Sequence, residues 1–542
     1  MLHASAAFPS HWVLILEAAI VIAGLAVAAS GNATLARAGR AAHHALFVMA
    51  RRPALAIASI ALASVLYLAI HTAVSGAPQP RVVDEWSYLL AADTFAHNRL
   101  TNPPHPMAAF FDGDHVLQRP TYASKYPPAQ GLVLAIGQVA FGHPVTGLWL
   151  EAAFLVGAVG WMLLAWVPRP WAVFGALLVA LRLGAGSYWN ESYWGGSVAA
   201  IGGALVLGAA RRLWRRVHIG DAVLLALGLA LLATSRPYEG ILVAAPVAVL
   251  LAAGLVTRRL APAPWRRFVV PVVVLLGAAL GALATLNREV TGDPLEFPYR
   301  VYDRGHAITP VFLWEPMSPG EVAQSSTPQV GVLGLRAPRT SGWHRLAVAL
   351  YFFVGLPGAL ALTVTPAAIR DPWSRFSTLV FLTVAVGHFL IFPWWPHYSA
   401  PAVGALLVPA VQGHRLMYAA RRGTRRPRAF GPALFAVACA AQLAVFLFQI
   451  PSQRADPTDP SRQRARLAWE FEHRDGKHLL LVRYPPGWSG DWTFNSADVD
   501  AAKVVWATDL GEERNAELLD YYGDRTVWSI DAQFTATDPV PT

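Results

Sequence analysis

The sequence is short of cysteine and of charged residues. It has one cysteine, Cys439, in 542 residues, and this residue lies in an apolar stretch. An intramolecular disulfide and a metal site built on several cysteines are therefore excluded. Charged residues make up 14% of the chain, whereas hydrophobic residues make up 55% and the mean hydropathy is +0.40. A single soluble core does not have this composition, so we expect a membrane protein.

Lysine is also rare. Lys125 is the only lysine before Lys477, and arginine carries nearly all the other positive charge. A formal charge of +10 would suit nucleic-acid binding, but the arginines lie in short clusters between apolar segments. Such clusters are typical of the cytoplasmic loops of membrane proteins. We therefore interpret the charge as a topological signal and expect no nucleic-acid partner.

Apolar segments predict an all-α polytopic membrane protein over residues 1–450, with about 12 spans and counts from 11 to 13 open. The segments lie near 11–30, 54–74, 145–167, 171–187, 197–211, 221–235, 240–257, 268–287, 345–366, 376–393, 399–417 and 430–450. The stretch 131–141 is too short to cross a bilayer, so it predicts a re-entrant or interfacial helix.

Four basic clusters predict the orientation of these spans in a cell (cytoplasmic) membrane. They lie within 37–52, 211–216, 258–267 and 415–428. Each cluster is expected on the cytoplasmic side. Counting outward from them places the motif-rich segments on the external side: the loop 75–130, the turns 187–194, 235–240 and 393–401, the long loop 288–342, and everything after 451.

From Pro451 onward the composition changes. Apolar runs at His478–Arg483, Lys503–Thr508 and Thr526–Ile530 alternate with polar stretches, and Glu512–Tyr522 has a helix-like pattern. Residues 451–542 are therefore predicted to form a small extramembrane α/β domain on the external face.

The first external loop opens with two adjacent carboxylates, Asp84 and Glu85. Carboxylates beside a membrane span are costly to hold near lipid, which favours a functional role. Trp86, Leu89 and Leu90 recur at helical spacing, so a helix is expected to begin at Asp84. A helix N-terminus keeps a carboxylate ionised and able to accept a proton, which makes Asp84 a candidate general base. The alternative is that Asp84 only caps this helix.

Two cationic residues on the same face are suited to phosphate. Lys125 closes the loop just before Tyr126-Pro127-Pro128, and its ammonium is a compact point charge. Arg236 lies between two spans and offers a bidentate fork. The alternatives are a lysine that bonds lipid headgroups and an arginine that snorkels or pairs with Glu239.

His397 lies in a late turn rich in tryptophan and proline, where it could bind phosphate, a sugar hydroxyl or a metal, or simply accompany an interfacial aromatic belt. The aromatic turn Tyr188–Gly196 suits either sugar stacking or such a belt. The long loop 288–342 could cover an acceptor or serve as a solvated connector. Its candidate residues are Glu296, Tyr299, Arg300, Tyr302, Asp303, Arg304 and His306.

This arrangement resembles the GT-C polyprenyl-phosphate-sugar-dependent glycosyltransferases, in particular the protein O-mannosyltransferases and the lipid A aminoarabinose transferases. The resemblance rests on Asp84-Glu85-x-x-Tyr88, on the Lys/Pro-Pro element, on His397-Tyr398-x-x-Pro401 and on the order of spans. It implies that Asp84 is the catalytic aspartate and Glu85 its catalytic neighbour. Lys125-Tyr126 departs from the Glu-Lys or His-His of many relatives. The second loop carboxylate is therefore missing, no cofactor is firmly implied, and a divalent metal stays open.

The resemblance implies transfer of a hexosyl or pentosyl group from a polyprenyl-phosphate-linked donor to an acceptor hydroxyl on a glycan, lipid or protein. Asp84 would act as base. The substrate-binding residues would be Tyr88, Lys125, Tyr126, Arg236, Glu239, His397 and Tyr398. One base and direct displacement predict inversion at the anomeric carbon. Two alternatives stay open: a lipid-linked-sugar transporter or flippase, and a catalytically silent relative that acts in envelope assembly.

Overall fold

The computed structural model describes residues 11–257, 265–306, 312–314, 342–391, 394–420, 428–452, 460–485, 492–532 and 540–541. Each of the twelve predicted spans falls on a helix in this part of the chain. These helices are His11–Ala29, Pro53–Ser75, Val145–Trp166, Arg169–Val179, Ser197–Arg215, Ile219–Ser235, Pro237–Val256, Trp265–Thr291, Gly342–Leu362, Pro372–Gly387, Val403–Tyr418 and Phe430–Ser452. A further helix, Ala33–Met49, was not predicted.

Among the described residues, 8 helices are long and apolar enough to cross a membrane, which supports a multi-pass membrane protein. The other four predicted spans are shorter or end in arginines. All four contribute side chains to the largest hydrophobic core of the bundle. Helices inside the bundle contact protein on all sides, so their length and lipid-facing hydropathy are less constrained. The count of about twelve spans stays a prediction.

Close contact between helix Ser197–Arg215 and the late turn depends on a glycine. A Cβ atom built on Gly203 would lie 1.9 Å from the Pro401 carbonyl oxygen. Only glycine therefore allows the helix backbone to reach the short helical turn Pro396–Ala402, which carries His397. This contact fixes the position of the turn, and with it His397, along helix Ser197–Arg215.

The first external loop is ordered by two helices and a small hairpin. Helix Val83–Ala96 carries the paired carboxylates, strands Val116–Leu117 and Ala123–Ser124 pair antiparallel, and helix Pro128–Phe141 follows. This last helix has 14 residues, which agrees with the prediction of a segment too short to cross the bilayer.

The C-terminal region has helix Pro460–His473, a four-stranded sheet and helix Glu512–Tyr521. The strand order is Val504–Thr508, His478–Arg483, Thr526–Asp531, Val540–Pro541, with the first three parallel and the last antiparallel. The predicted strands and helix are confirmed in position.

Both faces of this sheet are covered. One face packs on Leu467 and Phe471 of helix Pro460–His473. The other packs on side chains of the first loop, among them Phe110 and Tyr122. Parallel strands buried on both faces have nearly continuous apolar sequences, as His478–Arg483 does. The C-terminal region therefore shares a hydrophobic core with the loop that carries Asp84.

Candidate active site

Asp84 lies in the first turn of helix Val83–Ala96, as its sequence position predicts. The N-cap position of this helix is Val82, and no side chain caps it. The Asp84 carboxylate instead accepts a hydrogen bond from the Tyr126 hydroxyl, and its second oxygen lies 3.6 Å from His115 Nδ1. The alternative of a simple helix cap does not describe this geometry.

Asp84, Tyr126 and His115 form a closed group, because the Tyr126 hydroxyl also lies 2.9 Å from His115 Nδ1. Burial raises the pKa of Asp84, but the hydrogen bond and charge of His115, the Tyr126 hydroxyl and the Lys125 charge lower it further. The net effect holds the pKa of Asp84 well below its usual range. The carboxylate is therefore ionised at neutral pH.

Glu85, the second predicted catalytic residue, has a different environment. One carboxylate oxygen accepts the Arg81 backbone N–H at 2.9 Å and the other accepts the Tyr193 backbone N–H at 2.9 Å. Burial raises its pKa to about 7, although the two backbone N–H groups lower it. Both oxygens are occupied by the chain itself, so Glu85 anchors the Asp84 helix to the aromatic turn.

Substitution Glu85→Gln is expected to lower the free energy of unfolding by about 1–3 kcal/mol. The glutamine amide would direct an N–H toward one of the two backbone N–H groups, which leaves a buried donor unpaired. The measurement is the melting temperature of the purified protein in detergent.

Glu191→Gln is the matched control for this prediction. Glu191 lies in the same aromatic turn, burial raises its pKa to about 8, and its Oε1 has no hydrogen-bond partner among the described residues. Glutamine imitates the neutral acid, so little change in melting temperature is expected. Equal losses in the two variants would contradict the anchoring role of Glu85.

Tyr88 supports Tyr126 from one side. The two rings stack with centroids 4.5 Å apart and an interplanar angle of 19°. Burial raises the pKa of both hydroxyls, so both stay protonated at neutral pH. The stack holds the Tyr126 hydroxyl where it can donate to Asp84.

Lys125 is buried beneath helix Pro298–His306 of the long external loop. Its ammonium lies 3.8 Å from an Asp303 carboxylate oxygen and 4.4 Å from the centre of the Tyr302 ring. Burial lowers the pKa of Lys125, and the carboxylates of Asp303 and Asp84 oppose this effect. A lysine enclosed by protein does not match the alternative of an interfacial lysine among lipid headgroups.

Helix Pro298–His306 contacts the first loop through Tyr302 and His306. Tyr302 meets the edge of His115 with ring centroids 5.8 Å apart, and it stacks on His306 at 3.9 Å. His306 Nε2 lies 3.7 Å from Asp112 of the first loop. Most of the remaining loop, residues 307–311 and 315–341, lies outside the described residues, and so does its predicted role as a cover for the acceptor.

Arg236 joins helices Ile219–Ser235 and Pro237–Val256, and its guanidinium lies 4.2 Å from the centre of the Tyr398 ring. Burial lowers its pKa, but Tyr398 and Glu239 raise it more, so the pKa lies above its usual range. Glu239 is buried near Arg236 without a salt bridge between them in the described part of the chain. Neither snorkelling nor simple pairing describes Arg236.

His397 is fully enclosed, with 1% of its surface exposed. Its Nδ1 lies 2.8 Å from the Tyr188 hydroxyl, and Trp194 meets its ring edge-on at 4.7 Å. Burial and the Arg236 charge hold its pKa well below the usual range, although Asp84 raises it. A neutral imidazole can exchange hydrogen bonds with a hydroxyl, but it does not add positive charge for a phosphate.

The predicted residues converge. Burial and Asp84 raise the pKa of the Tyr398 hydroxyl while Arg236 lowers it, so both charged groups lie near the same ring. Lys125 approaches Asp84 from the side of the first loop. The site is thus an ionised carboxylate with two cations and several hydroxyls. No group of three or more His, Cys, Asp or Glu residues that could hold a metal ion occurs among the residues described.

The sequence interpretation missed His115, and it named Tyr188 only as part of an aromatic turn. His115 lies in the polar run Asp112-Gly113-Asp114-His115, and its backbone has φ 67°, which is uncommon for a residue other than glycine. A histidine among aspartates within the candidate loop was a usable signal. The contact of Tyr188 with His397 was not predictable, because only the fold brings together these two residues, which are 209 positions apart in the chain.

Solved structures with a similar fold were found. The crystal structure of ArnT from Cupriavidus metallidurans bound to undecaprenyl phosphate has a TM-score of 0.53 and 13% sequence identity, covering 87% of this chain and 92% of ArnT. The apo structure of the same ArnT has a TM-score of 0.50 and 14% identity, covering 86% and 92%. No protein-family model matches the sequence, and no curated protein matches it.

The structural likeness extends over nearly the full length of both chains. This chain therefore shares the fold of ArnT, and its C-terminal region contains a small sheet. The fold expected from the sequence motifs is therefore confirmed.

Proposed function

We propose that this chain is an integral membrane glycosyltransferase. It moves a sugar from a polyprenyl-phosphate donor to an acceptor hydroxyl on the external face, with inversion at the anomeric carbon. The observation that carries the proposal is the set of charged groups at the site: Asp84 held by Tyr126 and His115, Lys125 buried in the same loop, and Arg236 against the Tyr398 ring. ArnT, whose fold is similar, is bound to undecaprenyl phosphate in one of its structures.

The reaction needs few catalytic groups. The acceptor oxygen attacks the anomeric carbon, the bond from that carbon to the phosphate oxygen breaks, and Asp84 takes the acceptor proton. A lipid phosphate leaves readily without a general acid when cations stabilise its charge. Lys125 and Arg236 are the cations for this step.

The hydroxyl-rich wall of the site is suited to the sugar. Tyr398 and the neutral His397 lie beside Arg236, so they can bond sugar hydroxyls while the arginine faces the phosphate. Tyr126 holds the Asp84 carboxylate in one orientation. Glu85 and Glu239 are assigned supporting roles, since Glu85 bonds only backbone and Glu239 acts through Arg236.

The direct test is release of polyprenyl phosphate by purified protein in detergent, supplied with a panel of polyprenyl-phosphate sugars and an envelope extract as acceptor. Release with one sugar in the presence of acceptor is expected. If none of the donors gives release, but a fluorescent polyprenyl-phosphate sugar moves across the membrane of reconstituted vesicles, the flippase is supported instead. The absence of both release and movement would favour the silent relative.

A further inference from the structure

The helix that carries Asp84 has two faces with different partners. Asp84 and Tyr88, one turn apart, contact Tyr126. Trp86 and Asp93 lie on the other side of the same helix and contact the C-terminal region. This spacing follows from the period of the α-helix, which places residues three and four apart on one face.

A single segment of the C-terminal region makes these contacts. Phe494 stacks on Trp86 with ring centroids 5.4 Å apart and an interplanar angle of 6°. The Ala497 backbone N–H donates to Asp93 at 2.8 Å, and the Tyr122 hydroxyl donates to the Asn495 carbonyl at 3.1 Å. Residues 492–500, which precede strand Val504–Thr508, therefore lie along the loop helix.

The end of this docking segment is fixed by a histidine. His105 Nδ1 accepts the Met107 backbone N–H at 2.9 Å, so the proton of the ring is on Nε2. Nε2 donates to Asp500 at 2.9 Å. The Tyr522 hydroxyl donates to the same Asp500 oxygen at 2.6 Å. The neutral form of the imidazole satisfies this network.

Arg464 joins the docking segment to Trp86. Its guanidinium lies between two indoles, 4.1 Å from the centre of Trp86 and 4.4 Å from that of Trp506. In the guanidinium plane it donates to the carbonyl oxygens of Trp492 at 3.0 Å and Phe494 at 2.7 Å. Only a planar cation can stack on both faces while donating at its edge.

Arg464 is buried without a carboxylate partner in the part of the chain that the structure describes. Arg464 is 8% exposed, and among the described residues it forms no salt bridge with a carboxylate. Its charge is balanced by two carbonyl dipoles and two ring faces, and one of these rings belongs to the helix of the candidate active site. Burying a cation costs free energy, which here its hydrogen bonds and ring contacts at the junction have to offset.

We propose that Arg464 is a positioning residue for Asp84, which makes the C-terminal region a working part of the transferase. Arg464 holds Phe494 against Trp86 and thereby fixes the rotation of helix Val83–Ala96 about its axis. The side chain of Asp84 leaves this helix two residues before Trp86. This inference rests on the proposed function, because its catalytic readout is sugar transfer.

The test uses the full chain with Arg464→Met, and Arg483→Met as the matched control. Arg483 ends strand His478–Arg483 of the C-terminal region, but its side chain is 61% exposed and pairs with Asp509. For Arg464→Met we expect kcat for transfer to fall about tenfold or more while the KM for the donor stays within about twofold. The phosphate-binding cations, Lys125 and Arg236, lie outside the junction, which is why KM is preserved. The control should retain the wild-type kcat.

Arg464→Lys supplies the rescue. Lysine keeps a cation between the indoles but has a single ammonium for two carbonyl groups, so an intermediate kcat is expected. Phe494→Leu removes the stack on Trp86 and leaves Arg464 in place, which covers the case in which Arg464→Met does not fold. A wild-type kcat in Phe494→Leu, or in a folded Arg464→Met, overturns the proposal.

A second readout is independent of sugar transfer. Backbone hydrogen exchange of residues 83–96 should accelerate in Arg464→Met and Phe494→Leu but not in Arg483→Met. If the wild type transfers no sugar, the proposed function fails, and exchange still tests the mechanical link. Unchanged exchange in both junction variants contradicts that link whatever the activity.

Discussion

Substitution Asp84→Asn is expected to lower the rate of sugar transfer by about 10²- to 10⁴-fold, the usual contribution of a positioned general base. Asparagine keeps the shape of the side chain and can still accept the Tyr126 hydroxyl through its oxygen. It removes the negative charge and the capacity to take a proton. The measurement is release of polyprenyl phosphate in the presence of donor and acceptor.

The interpretation of Asp84→Asn depends on retained binding of the lipid phosphate. Since Lys125 and Arg236 are unchanged, the variant should bind polyprenyl phosphate at least as well as the wild type does. Asp475→Asn is the control, because Asp475 is exposed in the C-terminal region and lies outside residues 492–500. A wild-type rate of transfer in Asp84→Asn would contradict the role of Asp84 as general base and would favour the flippase or the silent relative.

The low pKa of Asp84 has a mechanistic consequence. A carboxylate stabilised by His115 and Tyr126 is a weak base, so it cannot remove a proton from a free hydroxyl in advance. In the proposed reaction it would accept the proton as the bond to the anomeric carbon forms and the hydroxyl becomes acidic. The benefit is that Asp84 is charged over the whole neutral range and is always ready to accept.

Substitution Lys125→Met is expected to lower transfer by about 10²-fold or more, because it removes a preorganised charge from the departing phosphate. Arg236→Met should have a loss of similar size. Both variants should also bind polyprenyl phosphate more weakly, unlike Asp84→Asn. Binding is measured with the lipid phosphate alone, and transfer with donor and acceptor together.

Lys477→Met is the matched control for Lys125, since Lys477 is one of the three lysines in the chain and is exposed near Asp524. It should leave both binding and transfer unchanged. Lys125 is paired with Asp303 in the structure, at 3.8 Å, so the donor phosphate has to compete with this carboxylate. Unchanged lipid-phosphate binding in both Lys125→Met and Arg236→Met would refute their role as phosphate ligands.

Much of the candidate site was predictable because its residue types are unusual for their places in the chain. Asp84 opens the polar loop after a predicted span, Arg236 lies between two spans, and Lys125 is an isolated lysine among arginines. Glu85 shows the limit of this reasoning. Its position beside Asp84 suggested catalysis, whereas its two hydrogen bonds go to backbone N–H groups, one of them 108 residues away.

Local patterns of hydrophobic residues were enough to predict the apolar helices, the short helix Pro128–Phe141 and the strands of the C-terminal region, because hydrophobic period and length are local properties. The tertiary structure alone decided which polar groups meet. His115 reaches Asp84, Tyr188 reaches His397, and Arg464 reaches Trp86 only through folding. Such contacts join residues far apart in the chain, and their energies depend on burial and orientation, which no local pattern records.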